Sequence, residues 1–238
     1  MGIYYLPPHR RFSAESFFPP VDQADDEGLL AVGGSLRPNW LRDAYAHGIF
    51  PWPCEGYPLW FSPPERALIE FDHFHISRRL RQTLRSGRFQ VTLDQAFRQV
   101  VKHCATVPRA DEDGTWITRD IQQAYALFHE TGDAHSLEVW REGRLVGGIY
   151  GVAMGAYFAG ESKFHLETDA SKVALAWLVR HLQTQGFRLF DVQLENTHLR
   201  QFHLTLLPRE AFLEKLRDAI AVPGVAFGKE IHWRREDF

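Results

Sequence analysis

Apolar positions along this chain follow two different periods. Trp40, Leu41, Ala44 and Tyr45 recur at helical spacing, in a helix that Pro38 can open and Gly48 can close. Phe97, Val100, Val101 and Cys104 line one face of a second helix over 94–104. Thr118 is a suitable cap for a third over 119–130, with Gly132 as its stop. From Ala134 the period falls to two. Leu137 and Val139 face one way, Glu142-Gly143 marks a tight turn, and 145–150 resumes as the partner strand of a hairpin. Residues 152–158 read as a further strand, with Gly151 and Gly155 permitting a bulge or close approach. A long helix follows from Ala170 through His181, capped by Thr168 or Asp169 and ended by Gly186. Residues 187–193 form a strand, 196–202 a short helix, and Pro208 opens a last helix through Ala219.

The first part of the chain is less regular. Residues 1–27 carry Pro7, Pro8, Pro19 and Pro20 and an acidic run, and read as loop. In GLLAVGGSL the glycine pair marks a turn; it lacks both the dinucleotide-loop spacing and the Lys-Ser/Thr of a P-loop. Residues 48–64 mix prolines with Trp52, Tyr57, Trp60 and Phe61. That predicts either a proline-aromatic plug over the core or a stiff wall on which a base or an apolar side chain can stack. Pro63-Pro64 divides a small amino-terminal domain, 1–64, from a larger one, 65–238. The larger part starts with strands at 67–71 and 89–93 around a helix that carries Arg78, Arg79, Arg81 and Arg85 without an acid. Such a helix is either a solvated face or a phosphate-contacting patch. Hairpin strands, a long helix, one strand and a short helix suit an α+β fold with a mainly antiparallel sheet. That is also the order of GNAT-like (acyl-CoA N-acyltransferase-like) domains.

Composition narrows the class. At 238 residues, 45% hydrophobic and 24% charged, the chain can bury a full core without staples. Cys54 and Cys104 make neither a disulfide framework nor a zinc motif, which points to a reducing compartment. The start of the chain lacks a signal-peptide core, and Leu6 breaks the myristoylation pattern after Gly2. No apolar run approaches membrane-spanning length. A net charge of −3 argues against indiscriminate polyanion binding. A soluble, cytoplasmic protein is the expectation.

The motifs GLLAVGGSL (28–36), GIFPW (48–52), LWFSP (59–63), HISR (75–78), GTWIT (114–118), AHSLEVW (134–140), LVGGIYG (145–151), GES with Phe164, ASK with Ala174-Leu175, and the set Asp191, Gln193, Asn196 and His198 occur in this order. In this the chain resembles the bacterial leucyl/phenylalanyl-tRNA–protein transferases. The resemblance implies transfer of leucine or phenylalanine from aminoacyl-tRNA to the α-amino group of proteins beginning with Arg or Lys, marking them for degradation. It implies no metal and no cofactor, and a monomer is expected. It assigns catalysis to Asp191 and Gln193 and recognition of the basic amino terminus to Glu161. It assigns the aminoacyl and adenosine pocket to Trp52, Trp116, Ile149, Phe158, Lys163, Leu178 and Leu182, with Asn196 and His198 in support.

The chemistry can also be read from the residues. Transfer needs a neutral amine against an activated ester, both held in place. Asp191 and Gln193, two apart on a strand, point to one face, so one can hold the other while both address the amine. The chain departs from the family at Lys163, where a pocket-lining methionine is usual, and within 203–210. Two other readings follow. The first is an acyl-CoA-dependent N-acyltransferase, against which stands the missing glycine-rich pyrophosphate loop before Ala170. The second is a tRNA- or degron-binding homologue without turnover.

Overall fold

The computed structural model describes residues 3–54, 56–108, 115–195, 197–232 and 234–238. Near the start lie strands β1 (Tyr4–Leu6) and β2 (Leu29–Gly33), helix α1 (Pro38–Ala46), and strands β3 (Phe50–Cys54) and β4 (Tyr57–Phe61). They make a four-stranded sheet in the order β1-β2-β4-β3, with only the β1–β2 pair parallel. The proline-aromatic stretch expected as a stiff loop is therefore a hairpin of two strands. Pro51 and Pro53 fit because β3 is an edge strand, where a missing N–H need not break a ladder.

After residues 62–64 the chain enters a second sheet. Its elements are β5 (Glu65–Ile69), α2 (Arg78–Arg85), β6 (Gln90–Leu93), α3 (Phe97–Thr106), α4 (Arg119–Glu130), β7 (Ala134–Arg141), β8 (Arg144–Met154), β9 (Tyr157–His165), α5 (Ala170–Gln185), β10 (Leu189–Gln193), α6 (Thr197–Arg200), β11 (Leu204–Pro208) and α7 (Arg209–Ile220). The strand order is β11-β5-β10-β9-β8-β7-β6. Every neighbouring pair is antiparallel except β9–β10. The architecture is α+β with a mainly antiparallel main sheet.

Several elements follow local chemistry. The Thr118 hydroxyl accepts from the Ile121 N–H and starts α4, and Ser77 does the same for α2 through Leu80. Gly48 and Gly186 close α1 and α5 in the left-handed region. Two expectations are corrected, and one strand is new. The strand expected at 152–158 is the end of β8 and the start of β9, with the reversal at Gly155. A side chain at Gly155 would come within 2.4 Å of the Ile220 carbonyl oxygen. Asp169 precedes α5 but does not cap it: its backbone is left-handed, and its carboxylate faces Lys172 and Thr83 instead. Strand β11, unanticipated, pairs with β5 at the sheet edge.

One apolar cluster joins Trp40, Tyr45, Phe50 and Trp60 of the first 64 residues to Tyr125, Phe128 and Phe212. The other lies under α5 and holds Ile149, Phe158, Leu178, Leu182 and Phe190. Among the described residues no helix is long and apolar enough to cross a membrane.

Candidate active site

The parallel pair β9–β10 stays in register only as far as Asp191 opposite Ala159. Beyond that point both strands are irregular. On the β8 side the register passes from Tyr150–Ser162 to Gly151–Gly160, so Glu161 is the extra residue of a bulge. Gly151 is required there, because a Cβ would meet the Ala159 carbonyl oxygen at 2.2 Å. On the β5 side the register passes from Asp191–Leu68 to Gln193–Ala67, skipping Val192, and Gln193 takes a φ of 65°. Two adjacent strands therefore each break regular pairing beside a polar side chain, and the two side chains meet. Gln193 Nε2 donates to Glu161 Oε1 at 2.7 Å.

Glu161 is half-buried and densely bonded. Tyr45 Oη donates to Oε1 at 2.7 Å, and Tyr125 Oη donates to Oε2 at 2.9 Å. The two phenol oxygens also touch each other. Three oxygen contacts thus close a ring, while two hydroxyls supply only two protons. A proton on Glu161 completes the set, with one tyrosine then accepting from the carboxyl and donating to the other tyrosine. Burial pushes the Glu161 carboxyl up to about 7, and the nearby Asp191 charge adds to this against the hydrogen bonds from the two tyrosines and Gln193. Burial, with the same carboxylate beside them, holds both phenols well above their ordinary range.

Asp191 is enclosed. Arg66 grips it side-on, Nη2 to Oδ2 at 2.6 Å and Nε to Oδ1 at 3.2 Å. Tyr157 Oη donates to Oδ2 at 2.9 Å, and the Gln193 backbone N–H donates to Oδ1 at 2.7 Å. Arg66 itself lies between the rings of Phe50 and Phe212 and donates to the Gly48 carbonyl. Burial is the largest influence and pulls the guanidinium down, but the charge and hydrogen bond of Asp191 together with Tyr157 and Tyr45 hold the group above its ordinary value. Asp191 and Gln193, expected to address an amine together, differ in their surroundings. Four donors surround the aspartate, whereas the Gln193 side chain reaches Glu161 at the strand split. What joins the pair is the Gln193 backbone, because the bulge turns its N–H toward Asp191.

Comparison with known proteins decides the family. The family model described as leucyl/phenylalanyl-tRNA protein transferase matches residues 68–217, and the model for the N-terminal domain of the same family matches 34–64. Leucyl/phenylalanyl-tRNA–protein transferase from Xanthomonas axonopodis pv. citri is 52% identical over 211 residues, covering 87% of this chain and 85% of that protein. The protein of the same name from Myxococcus xanthus is 49% identical, over 87% of this chain and 88% of its own.

The chain belongs to the leucyl/phenylalanyl-tRNA–protein transferase family.

Among solved structures, a GCN5-related N-acetyltransferase-like protein from Streptococcus suis aligns over 71% of this chain and 63% of its own, with a TM-score of 0.33 and 15% identity, too distant to bear on function.

Within this transferase, the seven residues expected to share one pocket fall into two groups. Trp52 and Trp116 stack at 5.4 Å with 19° between their planes, and Trp52 is 39% exposed. Ile149, Phe158, Leu178 and Leu182 are buried together under α5. Lys163 stands opposite Ile149 in the β8–β9 ladder and is half-buried. Arg78, Arg79, Arg81 and Arg85 are all exposed on α2, whose Leu80 and Leu84 face the core. Asn196 lies outside the described residues; His198 belongs to the backbone of α6, and its side chain is outside the description.

Sequence reasoning missed Tyr45, Tyr125, Arg66 and Tyr157. Tyr45 and Tyr125 lie on helix stripes that read as ordinary core. Arg66 gave a usable signal, a lone arginine beside the apolar run Ala67–Ile69. A buried charge there requires a partner.

Proposed function

We propose that this protein transfers a leucyl or phenylalanyl group from charged tRNA to the α-amino group of proteins beginning with Arg or Lys, and so marks them for degradation. The carrying observation is the contact between Glu161 and Gln193 where β9 and β10 part. Glu161 receives the amino-terminal residue's cationic side chain. Because Gln193 gives its Nε2 to Glu161, its Oε1 is left to accept a proton-bearing edge of the incoming amine. The new N–C bond forms as the ester C–O bond breaks, and the amine proton ends on the departing ribose hydroxyl. Asp191 is a positioning residue: locked to Arg66, it fixes the Gln193 backbone.

Trp52 and Trp116 supply faces for the terminal adenosine. Ile149, Phe158, Leu178 and Leu182 receive the apolar aminoacyl side chain, and Lys163 at the rim tunes which one fits. Asn196 and His198, which follow β10 in the sequence, are assigned a supporting role by the family resemblance. The exposed arginines of α2 contact tRNA phosphates. One chain supplies every group named, which supports action as a monomer, and charged tRNA as donor supports a cytoplasmic reaction.

The test incubates the protein with leucyl- and phenylalanyl-tRNA and a peptide beginning with Arg. Transfer is expected, and Gln193→Ala should lower kcat about 100-fold or more while stability changes by about 1 kcal/mol. No transfer from any charged tRNA, or saturable acetyl-CoA binding with acetyl transfer, overturns the reading.

A further inference from the structure

On the far side of β8 from Glu161, three side chains with metal-ligand chemistry converge. Asp94 follows β6 with a φ of 55°, an uncommon conformation for a residue other than glycine. His129 stands in the last turn of α4, and His135 is the second residue of β7. One ligand atom from each lies within 4.8 Å of the others. All three are half-buried, so the cluster is framed by protein yet reachable.

The hydrogen bonds around the two imidazoles are informative. His129 Nδ1 faces both the Ala134 carbonyl oxygen, at 2.7 Å, and Asp94 Oδ1, at 3.9 Å, so an ion bound by Asp94 takes the place of the Nδ1 proton. His135 has an oxygen at each ring nitrogen. Asp94 Oδ2 is 2.7 Å from Nδ1, and the Gly132 carbonyl oxygen is 3.2 Å from Nε2. A neutral ring has one proton for these two acceptors. A cation between His135 Nδ1 and Asp94 removes the conflict: Nδ1 and the carboxylate both ligate it, and Nε2–H goes to Gly132. A metal-binding histidine commonly has its second nitrogen on a backbone carbonyl in this way. Asp94 Oδ1 is itself fixed by the Ser136 N–H at 2.8 Å. Stacking holds both rings, His129 on Phe97 at 4.2 Å and His135 on Phe227 at 4.4 Å.

We propose that Asp94, His129 and His135 bind a divalent transition-metal ion of the zinc class, at a site separate from the candidate active site. Two imidazoles and one carboxylate suit Zn2+, Co2+ or Ni2+ better than Mg2+ or Ca2+, which prefer all-oxygen shells. Three protein ligands leave the remaining positions to water. The ligands come from three separate elements, so the ion would pin the end of α4 to β6 and β7. His129 lies four residues beyond Tyr125, on the same side of α4, which links the site to the support of Glu161 without making the ion part of the transfer chemistry. The residues are scattered over positions 94, 129 and 135, so the sequence shows no ligand spacing.

Chelator-treated protein is titrated with Co2+ and then Zn2+, following cobalt d–d absorption and the thermal unfolding midpoint. One tight equivalent of Co2+, displaced by Zn2+, with a raised midpoint is expected. His129→Gln, and separately Asp94→Asn, should weaken binding at least about tenfold. His75→Gln combined with His203→Gln, altering a stacked exposed pair elsewhere, should leave it unchanged. Circular dichroism confirms that each variant is folded. Absence of saturable Co2+ binding by the wild-type protein overturns the site and makes the cluster an aspartate–imidazolium pair. Binding that His129→Gln and Asp94→Asn both leave intact overturns it equally.

Discussion

Arg66 and Asp191, 125 positions apart in sequence, form a two-point ion pair with at most 1% of either side chain exposed. Removing one partner of such a pair strands a buried charge, which costs about 3–5 kcal/mol. Asp191→Ala should therefore lose stability as well as transfer activity, and Arg66→Met should lose about as much. Denaturant midpoints of both, and of the double variant, check this. The double variant should recover part of the loss, because no lone charge remains. A stable Asp191→Ala protein would show that the pair is not the anchor described.

Glu161 gives a pH dependence with a definite sign. Its carboxyl is raised from 4.5 to about 7 in the folded chain, with burial the largest cause. The folded state then holds a proton that the unfolded state has released between these values. This stabilising contribution is complete below pH 4.5 and is lost as pH rises through 7, at most about 3 kcal/mol. Glu161→Gln should flatten that part of the stability profile. Peptide binding runs the other way, since only the ionised form pairs with a cation. Affinity for an Arg-initiated peptide should fall by up to about tenfold per pH unit below 7. Calorimetry in buffers of different ionisation heat should detect proton release on binding, and an affinity flat from about pH 5 to 8 would contradict the assignment.

The stacked pair of exposed Trp52 on half-buried Trp116 separates recognition from packing. Trp52→Ala should raise the KM for aminoacyl-tRNA roughly 5- to 150-fold, equivalent to about 1–3 kcal/mol of stacking removed. With Trp52 39% exposed, stability should move by less than about 1 kcal/mol. An unchanged KM with a lowered unfolding midpoint would make the pair a structural clasp.

The arginine face of α2 is checked by salt. Replacing Arg78, Arg81 and Arg85 by Ala should flatten the dependence of log Kd for tRNA on log salt, by roughly 0.7–0.9 for each phosphate no longer neutralised. Leu80 and Leu84 keep the helix seated in these variants. An unaltered slope assigns the face to solubility.

What the sequence made legible follows from locality. Thr118 before α4 and Gly186 after α5 are governed by residues within a turn of themselves, and both ends lie where the pattern places them. The β3–β4 hairpin was hidden because prolines normally argue against strands, and only the sheet order shows that β3 is an edge. The neighbourhoods of Glu161 and Gln193 were hidden for a different reason. Both lie at bulges, and a bulge is a property of register between strands, which no single stretch encodes. Motif likeness pointed to Glu161, Asp191 and Gln193. It was silent on Tyr45, Tyr125 and Arg66, whose roles arise from partners 116, 36 and 125 positions away.

Tyr45 precedes the diproline at 63–64 and Tyr125 follows it, yet both hydroxyls close on one carboxyl. The proton affinity of Glu161 is therefore a gauge of how well the two parts of the chain are seated. Any substitution that loosens α1 from α4 admits water to that carboxyl and lets it ionise at a lower pH, far from the altered residue.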